Sequence, residues 1–158
     1  MMQQMKALPK HVGGELVQDW GLDTTLHSGS AIERRFDANI SAALQRSQYQ
    51  TLGRIKKIKA ASHLGLAQLL SDLREPAFQI IYIDGSHEPI DVLTDAVLAW
   101  QLLLVGGILI LDDYMWHNII GADSKKCPKP AIDAFLEIFG DKFIVLELKY
   151  QCIVQKIQ

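Results

Sequence analysis

Cysteine is scarce in this chain: Cys127 and Cys152 are the only two in 158 residues. Their spacing matches neither a disulfide framework nor a zinc site, so a reducing compartment, the cytoplasm by default, is expected. A long hydrophobic run is also missing. The longest apolar stretch, 96–111, is broken by Gln101 and by Gly106-Gly107; it is too short for a membrane span and lies mid-chain, where no signal peptide could be. Neither charge sign dominates, and the net charge of −2 excludes the electrostatic footprint of a nucleic-acid or anionic-membrane binder. The basic run Arg54-Ile55-Lys56-Lys57-Ile58-Lys59 alternates charge with isoleucine and reads as the wet face of a strand. With no repeat, no low-complexity segment and no Pro/Gly-rich linker, residues 1–158 are expected to form one domain around a single core.

What the chain does have is concentrated in residues 78–114, FQIIYIDGSHEPIDVLTDAVLAWQLLLVGGILILDDY. Two apolar runs, 78–83 and 108–111, flank an amphipathic stretch, which is the pattern of a buried parallel βαβ unit. Each run ends in carboxylates: Asp84 after the first, Asp112 and Asp113 after the second. Open α/β sheets bind ligands beyond the carboxyl ends of their strands, so these acids are expected to converge on one crevice.

Around this unit, residues 31–48 place Ile32, Phe36, Ile40 and Leu44 at helical spacing, with Ser30 as the expected N-cap and Glu33 at N3. A strand is expected over 55–60 and helices over 64–73, 89–104 and 129–139, with Val92, Leu93, Ala96, Val97 and Trp100 as the buried stripe of the middle one. Strands at 143–148 and 152–157 follow with only Lys149-Tyr150-Gln151 between them, so they must be antiparallel. At the N-terminus, 1–8 reads as the tail of a helix, 9–14 as a loop, and 15–18 as a short strand running into Asp19.

A mostly parallel α/β sheet closed by an antiparallel hairpin is similar to the class I S-adenosylmethionine (SAM) methyltransferases. The segments IIYIDGSHEPIDVLTDAVLAWQLLLVGGILILDDY, AIERRFDANI, IKKIKAASHLGLAQL and KPAIDAFLEIF resemble the branch with small-molecule O-methyltransferases of the macrocin and catechol types. The most specific motifs are DGSH at 84–87 and GGILILDDY at 106–114. The resemblance implies a Rossmann-like fold and SAM as cofactor. It also implies Mg²⁺ on Asp84, Asp112 and Asp113, and a small hydroxylated acceptor. By the same resemblance Asp19 would hold the ribose hydroxyls, Ala61 and Ser62 would face the adenine, and Asp84 would sit beside the cofactor.

His87, three residues past Asp84, could serve as general base, or could merely cap or solvate the start of the next helix. Asp84 and the Asp112-Asp113 pair have a blander reading as turn and capping residues. Tyr114 and Trp116 could wall the acceptor pocket or belong to the core, whereas His11, His27, His63 and His117 show no metal-ligand spacing.

The family opens on a strand feeding a glycine-rich loop that holds the methionine part of SAM. Gly13-Gly14 follows no apolar strand and precedes no helix, so the chain is expected to be an N-terminally truncated version with residues 1–28 atypical. Such a sheet would expose unpaired edges, which leads us to expect a homo-oligomer or residues 1–28 folded back into the gap. The alternative reading is a catalytically inactive domain of the same fold with a structural or oligomeric role. A receiver-type signalling domain fits poorly, because the acid pair falls late in the chain and the closing hairpin has no place in that fold.

Overall fold

A computed structural model describes residues 29–46, 55–121, 123 and 126–158. The expected strand at 15–18, together with Gly13-Gly14, Asp19, His11 and His27, lies outside the described residues, as does any packing of 1–28. The chain falls into two compact units, residues 1–59 and 60–158.

In the first unit, α1 (Gly29–Arg46) is the expected amphipathic helix. It begins at Gly29, which places Ser30 inside its first turn. Ile32, Phe36 and Leu44 all keep substantial solvent exposure. Residues 55–59 are not a strand. The period-two alternation is there, but a strand needs a hydrogen-bonding neighbour, and among the described residues the four strands given below pair with one another. The lysines of this run instead reach α1: Lys57 Nζ lies 2.7 Å from Asp37 and 3.0 Å from Glu33, and Lys59 Nζ lies 2.7 Å from Glu33. The two lysines hold the Glu33 carboxyl down at about 2.

The second unit builds the site. Its order is α2 (Ser62–Leu73), β1 (Phe78–Ile83), α3 (Pro89–Leu102), β2 (Leu103–Leu111), α4 (Trp116–Ile120), α5 (Lys129–Ile138), β3 (Phe143–Leu148) and β4 (Cys152–Lys156). The strands form one mixed α/β sheet in the order β1-β2-β4-β3. β1 and β2 are parallel, Ile83 facing Leu111, while β4 runs antiparallel to both β2 and β3. This is the expected βαβ unit closed by a hairpin.

β2 starts earlier than expected, because Gly106-Gly107 lies within the strand instead of ahead of it. Gly106 takes φ +84°, and a Cβ on Gly107 would fall 2.8 Å from the Leu104 carbonyl oxygen and 3.0 Å from that of Gln79. The β1–β2 register shifts beside this point, between Phe78 and Ile80. Glycine here gives the strand an irregularity that a side chain would block.

The core is α3 and α5 packed on one sheet face. α3 buries Val92, Asp95, Ala96, Ala99, Trp100 and Leu102, whereas Val97, expected in that stripe, is 37% exposed. Phe135 is fully buried, stacked on Phe139 at 4.6 Å between centroids and edge-on to Trp100 at 5.6 Å. Lys156 is also buried; its Nζ donates to the carbonyls of Trp100 and Leu103, each at 2.9 Å, and lies 5.0 Å from the Trp100 ring centroid. It thereby satisfies carbonyls at the end of α3 that have no partner within the helix. Among the described residues, no helix is long and apolar enough to cross a membrane.

Candidate active site

Parallel pairing brings the ends of β1 and β2 together. The Asp112 N–H donates to the Ile83 carbonyl at 3.0 Å, so Asp84 and the Asp112-Asp113 pair leave the sheet side by side. Their charges interact. Asp84 keeps contact with solvent, yet partial loss of water and then the repulsion of Asp112 and Asp113 push its carboxyl above the ordinary range, against the attraction of His87.

The acid pair is wrapped in donors. Asp112 Oδ2 accepts from the Tyr82 hydroxyl. Its Oδ1 accepts from Gln151 Nε2 at 3.1 Å and from the Asp113 N–H at 2.9 Å. Asp113 Oδ1 accepts from the Tyr150 hydroxyl at 2.5 Å, and its Oδ2 lies 2.7 Å from His87 Nε2. Asp113 adopts φ +62°, a conformation uncommon outside glycine but tolerated by aspartate. The hydrogen bond to Asp112 raises the Tyr82 phenol to about 12. Burial, then the bond to Asp113, raises that of Tyr150 as well.

His87 is presented by the DGSH turn, where the Ser86 hydroxyl accepts from the Glu88 N–H at 3.1 Å just before Pro89 opens α3. Its ring lies 4.7 Å from that of Trp116, tilted by 34°. Trp116 therefore stands beside the site. Tyr114 does not: it is buried, and its hydroxyl donates to Asp133 at 2.9 Å and receives Lys129 Nζ at 2.7 Å, which ties the DDY segment to α5.

Ala61 caps α2 in an extended conformation, and Ser62 begins the helix. The Ser62 hydroxyl faces the buried Asp95, and a Cβ on Gly85 would lie 3.9 Å from the Oδ2 of the same aspartate. For a divalent cation the donor chemistry is suitable but the arrangement is not. Among the described residues no three His, Cys, Asp or Glu side chains converge as metal ligands. The sequence singled out Asp84, His87, Asp112 and Asp113, which the fold brings together. It missed Tyr82, Tyr150 and Gln151, which hold the pair.

A parallel βαβ unit closed by an antiparallel hairpin, with acids at the carboxyl ends of adjacent strands, defines a class I SAM-dependent methyltransferase fold. The profile described as methyltransferase domain matches residues 7–114, and the chain belongs to that family. The match takes in residues 7–28, the segment that looks atypical in sequence.

Among solved structures, a structural-genomics crystal structure of a Corynebacterium glutamicum protein is 21% identical, with a TM-score of 0.57 over 82% of this chain and 57% of the other. The MycE methyltransferase of the mycinamycin biosynthetic pathway, solved with Mg and SAH, is 17% identical, with a TM-score of 0.49 over 64% of this chain and 31% of the other. The chain thus spans less than two thirds of either protein. No curated protein matches it.

Proposed function

We propose that this domain transfers a methyl group from SAM to a hydroxyl of a small acceptor, with His87 as general base. The observation that carries the proposal is the His87–Asp113 contact at 2.7 Å, placed at the strand ends of a methyltransferase-family fold. Asp113 fixes the ring with its Nε2 proton toward the carboxylate, which leaves Nδ1 to accept the proton of an acceptor hydroxyl. Trp116 packs against the imidazole and limits its rotation. Asp84 would lie beside the cofactor. SAM, when bound, supplies the methyl group on its sulfonium. Divalent-metal assistance, which the family resemblance suggests, forms no step of this proposal, because the acids do not converge as ligands in this arrangement.

Calorimetric titration with SAH, followed by transfer of labelled methyl from SAM to a panel of phenolic and sugar hydroxyls, tests the reading. Micromolar SAH binding and transfer to at least one hydroxyl are expected. His87→Ala should keep SAH binding and lose about 10²- to 10⁴-fold in transfer rate, the usual worth of a positioned base. Absence of SAH binding would leave a fold without its cofactor and would overturn the proposal.

A further inference from the structure

We infer that Tyr82 and Tyr150 form an internal plug on the Asp112-Asp113 pair, their hydroxyls holding the carboxylates away from the arrangement a divalent cation needs. Hard cations require several carboxylate and other oxygens to point at one centre, and Mg²⁺ demands nearly ideal octahedral geometry. Here each acid is pulled toward its own set of donors. Tyr82 and Gln151 take opposite oxygens of Asp112, while Tyr150 and His87 take opposite oxygens of Asp113. All four oxygens of the pair are therefore engaged, and among the described residues no third ligand converges with them. The donors come from three places: β1 supplies Tyr82, the DGSH turn His87, and the β3–β4 turn both Tyr150 and Gln151. That last turn is itself closed by the Lys149 N–H donating to the Gln151 carbonyl at 2.9 Å. Neutral phenols, an amide and an imidazole thus satisfy two adjacent carboxylates without a dication.

The inference does not depend on methyl transfer, since its readout is cation binding in the absence of SAM or acceptor. Titration calorimetry with MgCl₂ and MnCl₂ compares the wild-type chain with Y82F/Y150F. Removing two hydroxyls bonded to charged oxygens should free the carboxylates and tighten cation binding by about ten-fold or more, the order of such a bond. Adding Asp112→Ala to the double variant should abolish the gain. Should the double variant fail to fold by circular dichroism, Y150F alone carries the test, because Tyr150 is 38% exposed at a hairpin turn. Wild type and variant binding cations equally well, or no gain on removal of the hydroxyls, would overturn the inference.

Discussion

Asp95→Asn should make this protein more stable at neutral pH. Asp95 is 2% exposed on α3, and its Oδ1 has no hydrogen-bond partner. Burial raises its carboxyl above the ordinary value of 3.8, the Ser62 hydroxyl and His63 opposing and Asp91 adding. A raised folded-state value means that the native state holds the proton more tightly. The corresponding stability is complete below the unfolded value and is lost as pH rises through the folded one. At neutral pH the wild type therefore carries a buried charge with one unsatisfied oxygen.

Asparagine keeps the shape and the acceptor for Ser62 but not the charge. An uncompensated buried polar group costs about 1–3 kcal/mol in proteins, and the amide N–H₂ inherits part of that penalty, so a net gain of about 1 kcal/mol is expected. Urea denaturation at about pH 7.5 should show the gain, and at about pH 4.5 the gap should narrow, because a carboxyl raised in the folded state takes up its proton earlier than the unfolded chain does as pH falls. A variant less stable by about 1 kcal/mol or more at both pH values would refute the reasoning, because it would show the charge to be favourably compensated in the native state.

Gly107→Ala should lower stability by about 3 kcal/mol, the upper end for overpacking, because two of the three atoms its Cβ would meet are backbone. Gly106→Ala has open space around it and should lose only about 1 kcal/mol, from its positive φ; urea midpoints in the reverse order would contradict this account of β2. Burial lowers the Lys156 ammonium below 10.5, so the unfolded chain holds that proton more tightly. Wild-type stability should gain a component that rises with pH as 10.5 is approached. Lys156→Met should lack this rise and lose about 1–3 kcal/mol at neutral pH, since the carbonyls of Trp100 and Leu103 are left without their donor; equal pH slopes in denaturation would count against it.

The fold of residues 78–158 was legible because its signals are local. Apolar runs bounded by acids and glycines gave β1, and a three-residue connection allowed only an antiparallel β3–β4. The pattern at 55–59 misled because alternation reports which side chains share a face, whereas strand formation also requires a neighbouring backbone. Gly106-Gly107 misled in the opposite sense, punctuation in sequence being an irregular stretch of strand in space. In the site, the acids were readable from their places at strand ends. Tyr82 could have been found, since residues two apart on a strand share a face and it precedes Asp84 by two. Tyr150 carried no such signal. Its bond to Asp113 spans 37 positions and exists only through the hairpin's register.

That separation bears on how the protein assembles. The contacts from the β3–β4 turn to the acid pair link positions 37 and 39 residues apart, so each requires closure of a long loop before any hydrogen bond rewards it. Helix α3 and the β1–β2 pair can form from nearer neighbours. The two aspartates are therefore expected to meet Tyr82 and His87 as the β1–β2 pair forms, and to gain Tyr150 and Gln151 only when the β3–β4 hairpin docks. Completion of the site becomes a marker for the arrival of the native sheet, and Tyr150 a natural place to put a probe of that last step.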